Sequence, residues 1–368
     1  MAEVVLATAS ERQTWSNKYL SEYVRETRFM PYMGRAQTAI FRILTGSETG
    51  GASIINIPLL GRLKGRGVQD SEVLEGNEED LENFNDQVRT RWIRNGVVVP
   101  KSTSYRTEMD LLGAAKPLLK DWAATNLKDA IVASLNSIIV PGADDENGLP
   151  GTDTAVAYAS ASAGQRNTHL VNNADRMLFG ASKSNASSNV FATALGNIDA
   201  TNDKLTTSLI SLAKRMAKAA DPGIRPYRTE DGREYFVLFA HPLAFRDLKN
   251  DTAMQQANRD ARARGIDNPI FQDGDLIWDG VIIRETDELT VIAGAGASSI
   301  DVVRNFLCGQ SAVAIAWEQQ PTPRSDPDRD YGFRPGVATE ELRGQKKISR
   351  GGTAYGVFEI ITAAVADA

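Results

Sequence analysis

One cysteine, Cys308, and two histidines, His169 and His241, stand in a chain of 368 residues. A single thiol excludes an intrachain disulfide and a thiolate-rich metal cluster, and it fits a reducing compartment. Two histidines in different regions and one distant cysteine also lack the spacing of a zinc ligand set. No apolar run approaches the roughly 18 residues that cross a bilayer, and the start, MAEVVLATASERQTW, has no basic segment leading into an apolar one. The expectation is a chain neither exported by a standard signal nor spanning a membrane. Positive charge is in short supply too: 41 Lys+Arg against 47 Asp+Glu leave −6, so no global basic field draws the protein to nucleic acid. The 42% hydrophobic content nonetheless supports packed cores, and the length allows two to three domains of about 150 residues.

Catalytic patterns are missing as well. No G-x-S-x-G elbow accompanies the histidines, and no phosphate-binding G-x-x-x-x-G-K-[ST] occurs; Gly294 and Gly296 run into small residues and a strand, not a helix. Asp326, Asp328 and Asp330 resemble the opening of a calcium loop, but Tyr331 stands where glycine makes the turn and Val337 where the bidentate glutamate belongs. His241 reads as a strand-end residue tied to backbone, and Cys308 as a small buried apolar group. The reading is of a non-enzyme with no catalytic, cofactor or metal site.

What is present is an order of elements. Residues 10–30 carry Trp15, Tyr19 and Tyr23 at helical spacing behind Ser10 as N-cap, a packing face that needs its own core or a neighbour. The apolar stretch 52–60 and the segment QVRTRWIRNGVVV read as two strands of a long ribbon joined by a polar loop. An isolated ribbon is marginal in water, so its stability is expected from another surface. The loop runs from Arg62, Lys64 and Arg66 to Glu72, Glu75, Glu78, Glu79, Asp80 and Glu82, which is either a solvated tip or a self-complementary docking element. Arg89, Arg91 and Arg94 around Trp92 suit either single-stranded nucleic acid or the acidic surface of another copy.

The longest helical pattern, 106–139, contains Pro117, which bends a helix or marks the true start of a shorter one; the pattern is read as ending near Pro141. Residues 142–200, rich in Ala, Ser, Asn and Gly, read as a loop-rich lobe. Behind Asp203 a helix lined by Leu205, Leu209, Leu212, Met216 and Ala220 opens an α/β alternation, with one helix from Pro242 to about Arg264 and strands to about residue 317. Two extended segments at the end, split by Arg350-Gly351-Gly352, are expected to return to the sheet beside the long helix.

This order resembles the tailed-bacteriophage major capsid proteins, most closely the podovirus-type family with the Hong Kong phage capsid fold. The resemblance is carried by Gly65-Arg-Gly67-Val68 through Leu74-Glu75-Gly76-Asn77-Glu78-Glu79, by Arg91-Trp92-Ile93-Arg94-Asn95-Gly96, and by Leu118-Leu119-Lys120-Asp121-Trp122. His241-Pro242, Asn268-Pro269, Trp278-Asp279-Gly280-Val281, Leu342-Arg343-Gly344-Gln345-Lys346-Lys347 and Tyr355-Gly356-Val357 continue it. The implied α+β fold has an N-terminal arm (1–45), an extended hairpin loop (46–105), a peripheral domain with a spine helix (106–140), a loop-rich insertion (141–202), an axial domain (203–330) and return strands of the peripheral domain (331–368). The resemblance implies a virion shell of hexamers and pentamers around double-stranded DNA, assembled in the bacterial cytoplasm. Its implied partners are further copies of the chain, a portal, and scaffolding or decoration proteins. It makes Arg62, Lys64, Arg66, Glu72, Glu75, Glu78, Glu79, Arg89, Arg91 and Trp92 inter-subunit contacts, Pro117 a spine kink, and Trp15, Tyr19 and Tyr23 arm-packing residues. Competing readings are an encapsulin-like compartment and a soluble enzyme.

Overall fold

The computed structural model describes residues 29–45, 54–60, parts of 63–79, then 83–106, 111–143, 151–229, 232–262 and 276–366. Trp15, Tyr19, Tyr23, Arg62, Lys64, Arg66 and Glu72 lie outside the described residues. Two sheets organise the chain. The first is ordered β1 (Met33–Gly34), β2 (Phe41–Thr45), β15 (Val313–Asp326), β16 (Gly336–Lys347), β5 (Arg91–Val98). The second is ordered β11 (Leu276–Trp278), β12 (Val281–Glu285), β10 (Glu234–Ala240), β14 (Val302–Cys308), β19 (Val357–Ala363), β8 (Met177–Phe179), with β9 (Tyr227–Arg228) on β10 and β13 (Val291–Ile292) on β14.

The segments VVRNFLC (β14) and VFEIITA (β19) are buried at every position, as central strands covered on both faces must be. This corrects the tail. β16 does return to the sheet beside the long helix, but β19 pairs with β14 and β8 in the other sheet, because a strand apolar on both faces needs a central place.

A helical turn, α1 (Lys101–Ser104), precedes the long helix α2 (Leu111–Asn136), which at 1.5 Å per residue is about 39 Å long. Ala115, Leu119, Ala123, Leu127, Ile131 and Leu135 form its buried stripe. The helix ends earlier than the sequence pattern indicates. Ser134 and Ser137 hydroxyls donate back to the Ala130 and Ser134 carbonyls, and Ile138-Ile139-Val140 then enters strand β6 (Ile138–Gly142), paired with β7 (Gly151–Val156). Pro117 lies inside α2, which runs through it without a break.

The 141–202 region is not loop-rich. It holds β7, α3 (Ala163–Asn172), β8 and α4 (Phe191–Gly196), with a cluster of Leu170, Met177, Phe179, Phe191, Leu195 and Ile198. Reciprocal capping by Ser162 and Gln165 starts α3, and the Phe179 and Phe191 rings meet at 5.4 Å, edge to face. Small side chains hide the lobe's order because a few aromatics supply its core.

In the 203–330 region, Thr206 caps α5 (Thr207–Ala219); Leu209, Ile210, Ala213 and Ala217 are its most buried apolar residues, with Leu212 and Met216 at the flank. Asp203 accepts the Ala181 and Asp199 amides at 2.7 and 2.8 Å. The expected helix after Pro242 is two, α6 (Pro242–Asn250) and α7 (Thr252–Arg262). Asp251 interrupts it in extended conformation, its carboxylate accepting from Thr207 at 2.8 and 2.7 Å and from the Ala253 amide at 3.2 Å.

The ribbon also differs from expectation. β3 (Ile54–Leu60) pairs with β4 (Asn83–Arg89), Thr90 interrupts, and β5 leaves the ribbon to pair with β16, Trp92 opposite Leu342. Nor is the ribbon isolated. Ile57 and Val88, each 1% exposed, pack on Ala314, Ala316 and Ile348 of their own chain. Gly344 permits this crossing, since a Cβ there would collide with the Arg89 carbonyl oxygen.

Candidate assembly surfaces and the buried junction

Three arrangements of charge stand out. The deepest joins both sheets and α2. Glu359 on β19 accepts from Arg304 at 2.7 Å, from Lys347 at 3.0 Å and from His169 Nε2 at 3.4 Å. Arg304 also donates to the Asn136 carbonyl at 2.7 Å and Lys347 to the Ser137 carbonyl at 3.1 Å, so the C-terminus of α2 is tied into the cluster. All four ionisable side chains are at most 3% exposed. Burial would raise the Glu359 pKa, but Arg304 and then Lys347 hold it well below the carboxylate norm. Burial lowers the His169 pKa more than Glu359 raises it, so the ring is neutral. Its Nδ1 accepts from the Ile139 amide at 3.4 Å and faces the Asn173 amide nitrogen at 3.2 Å, which assigns the proton to Nε2.

A second cluster pins the ribbon. Asp86 on β4 is ion-paired with Lys346 and accepts the Ser349 amide at 3.1 Å; Lys346 also donates to the Asp153 carbonyl at 2.7 Å. Burial nevertheless raises the Asp86 pKa, outweighing Lys346. The Asp153 carboxylate receives the Gly352 amide at 2.9 Å, fixing the turn between β17 (Ser349–Arg350) and β18 (Thr353–Ala354). Sequence reasoning missed both clusters. The available signal was a lone charge in an apolar strand, as in VVRNFLC and VFEIITA.

The third arrangement is on the surface. Glu75, Glu78 and Glu79 are exposed, and two of them serve the loop itself: Glu78 accepts the Gly76 amide at 2.7 Å and Glu79 the Gly65 amide at 2.6 Å. Arg89 ends β4, while Arg91, Trp92 and Arg94 lie on β5; the three arginines are exposed and make no ion pair among the described residues, and Trp92 is 54% exposed. The ribbon thus separates the acidic loop at its far end from the arginines at its root. Pro117 is exposed on α2.

Among the described residues, no reactive geometry is assembled. His241 Nδ1 accepts the Leu243 amide at 3.2 Å as the cap of α6, and burial pushes the Cys308 thiol up to about 12. Asp330 pairs with Arg334 at 3.2 Å, and no cluster able to hold a metal occurs among the described residues. An open groove of about 950 Å³, lined by residues including Leu60, Lys218, Asp221, Arg225, Arg350 and Tyr355, carries charges of both signs without a matched acid and base. No helix among the described residues is long and apolar enough to cross a membrane.

The phage capsid protein family model matches residues 5–366. The chain belongs to that family. The capsid protein is 25% identical over 366 residues to the major capsid protein of Pseudomonas phage KPP25, covering 92% of this chain and 89% of that one. Among solved structures, the cyanophage Pam1 capsid matches with 38% identity, a TM-score of 0.81 and full coverage of both chains. The capsid of Ralstonia phage GP4 shares the fold at a TM-score of 0.68, with 22% identity over 92% of this chain and 90% of that one. The capsid protein is therefore a structural shell component with the tailed-phage α+β capsid fold, and the enzyme and encapsulin readings are set aside. Its buried charge clusters are fold-stabilising joints, while the arginines of the β4–β5 segment and the carboxylates of the loop lie at the surface.

Proposed function

We propose that the capsid protein closes, as hexamers and pentamers, into an icosahedral head shell around double-stranded DNA, assembled in the bacterial cytoplasm with a portal and with scaffolding or decoration proteins. The observation that carries this reading is the full-length likeness to the cyanophage Pam1 capsid at 38% identity. In this reading the 203–330 region gathers at the five- and six-fold axes, and the spine helix with the tail strand β16 forms the periphery. Subunits rotate as rigid bodies during maturation, with Pro117 as a preset bend in the spine. The extended loop, with Arg62, Lys64, Arg66, Glu72, Glu75, Glu78 and Glu79, and the root residues Arg89, Arg91 and Trp92 make inter-subunit contacts. Trp15, Tyr19 and Tyr23 pack the arm on a neighbour.

Negative-stain microscopy with light scattering on purified protein tests the reading. Closed shells or capsomer rings are the expected result. A monomer that assembles neither alone nor with a co-expressed scaffold would overturn it.

A further inference from the structure

β5 is the last strand of its sheet, so one of its edges has no partner among the described strands. Two hydrogen bonds just beyond the strand show which of its amides face that edge. The Val99 amide donates to the Pro335 carbonyl at 3.0 Å, and the Lys101 amide to the Phe333 carbonyl at 2.8 Å. Antiparallel rows alternate between those that exchange hydrogen bonds and those that do not. Counted back from Val99 through the β5–β16 register, the rows of Val97 and Asn95 exchange them, and the row of Gly96 and Ala338 does not. The close approach of that row agrees, since a Cβ on Gly96 would lie 2.9 Å from the Ala338 Cβ. The Gly96 amide therefore points away from β16 to the open edge, where it donates to Oδ1 of Asn95 at 2.9 Å.

This contact sets a nucleophile against an electrophile. The side-chain amide carbon of Asn95 lies one bond beyond Oδ1, and attack on it by the Gly96 nitrogen closes a five-membered ring. Three features favour closure. Gly96 is exposed and has no Cβ to shield its nitrogen. Its N–H is not committed to the ladder, so no sheet hydrogen bond has to break. Arg91 and Arg94, both exposed on the same strand, favour the anionic form of the attacking amide.

We infer that Asn95-Gly96 is a self-modifying site, at which the folded chain turns an asparagine into a carboxylate and in part reroutes its own backbone. The Gly96 nitrogen bonds to Asn95 Cγ, the Cγ–Nδ2 bond breaks, and the Gly96 proton leaves with Nδ2 as ammonia. Water then opens the cyclic imide at either carbonyl. Opening at Cγ leaves an aspartyl residue, and opening at the former main-chain carbonyl leaves an isoaspartyl residue, through whose side-chain carbons the chain now runs. The added methylene moves Gly96, Val97 and Val98 out of register with Ala338, Val337 and Gly336. Over these rows β5 releases from β16, and the open edge of the sheet moves inward by one strand. The inference concerns the single subunit and stands apart from the shell reading.

Mass spectrometry on aged subunits tests it. The chain is held at mildly alkaline pH in heavy-oxygen water, so that an imide opened during incubation is labelled and one opened during later digestion is not. The tryptic peptide of residues 95–101 should gain label in proportion to hydroxide, as aspartyl and isoaspartyl forms that fragmentation resolves. Asn147-Gly148 is the chain's other Asn-Gly pair, and Asn147→Gln keeps it out of the intact mass. Asn95→Gln, which would need a six-membered ring, should abolish the label in the 95–101 peptide. Hydrogen exchange gives a second readout: the Val99 and Lys101 amides should lose protection as the isoaspartyl fraction grows, whereas freshly prepared Asn95→Asp, with the charge but no added methylene, should keep it. The same chain in urea is the positive control for labelling. A folded chain that stays unlabelled while the control is labelled overturns the proposal, because the fold then shields the pair. Labelling that leaves both amides protected overturns the register shift.

Discussion

Replacing Glu359 with Gln keeps the shape of the side chain and removes the only anion in the buried junction. Arg304 and Lys347, both with side chains 0% exposed, would then face an amide that accepts from one cation and opposes the other with its own N–H groups. Their remaining partners, the Asn136 and Ser137 carbonyls, are dipoles and cannot neutralise two buried charges. Breaking a buried pair from one side costs about 3–5 kcal/mol, against total stabilities of about 5–15 kcal/mol. For 368 residues the unfolding entropy is on the order of 0.8 kcal/mol per kelvin, so the melting temperature should fall by about 4–6 °C. The matched control is Glu234→Gln, which breaks the exposed pair with Arg228 at 2.7 Å and should cost under about 1 kcal/mol. Calorimetry on unassembled subunits at pH 7.5 separates the two. Equal, small shifts for both variants would refute the reasoning that the junction is an electrostatic joint.

Further expectations follow from the same geometry. Because the folded His169 pKa lies below its unfolded value of about 6.5, the unfolded chain takes up the extra proton first and stability should decline as pH falls below about 6.5. A second loss follows at lower pH as Glu359 is protonated; His169→Gln should flatten the first step in melting temperature against pH and leave the second. Gly344→Ala puts a methyl into the Arg89 carbonyl, so it should loosen the ribbon by about 1–3 kcal/mol and speed proteolysis within 46–90, whereas Gly196→Ala, with open space around it and no positive φ, should not. Pro117→Ala restores an amide inside α2 and should stabilise the helix by up to about 3 kcal/mol while altering shell expansion; unchanged assembly and expansion would remove the bend from the mechanism. Reversing Arg62, Lys64 and Arg66 to Glu should abolish stable shells or make them salt-sensitive, as particle counts across an ionic-strength series would report, and normal particles would exclude these residues from docking.

Much of the architecture was legible because it depends on local pattern. The 3.6-residue stripe of Ala115, Leu119, Ala123, Leu127, Ile131 and Leu135 marks the long helix by itself, and the Gly351-Gly352 turn, with φ of 56° and 84°, marks a break between strands. The absence of catalytic spacing is equally a property of the linear chain. Sequence alone also placed an acidic loop and an arginine-rich strand in order, and the motifs around them carried the family resemblance.

Partner choice is different, because it depends on what surrounds a strand and not on the strand itself. RTRWIR alternates smoothly through Thr90, yet β4 lies on one sheet as a ribbon and β5 joins that sheet as its edge; only the pairing of Trp92 with Leu342 reveals the switch. VFEIITA contains one glutamate that looks like an interruption. Its burial against Arg304, Lys347 and His169, drawn from residues 12 to 190 positions away, turns that interruption into the joint between the sheets. Local periodicity is written in neighbouring residues and survives in the sequence. Register between distant strands, and the low-dielectric surroundings that make a buried charge decisive, exist only once the chain has packed.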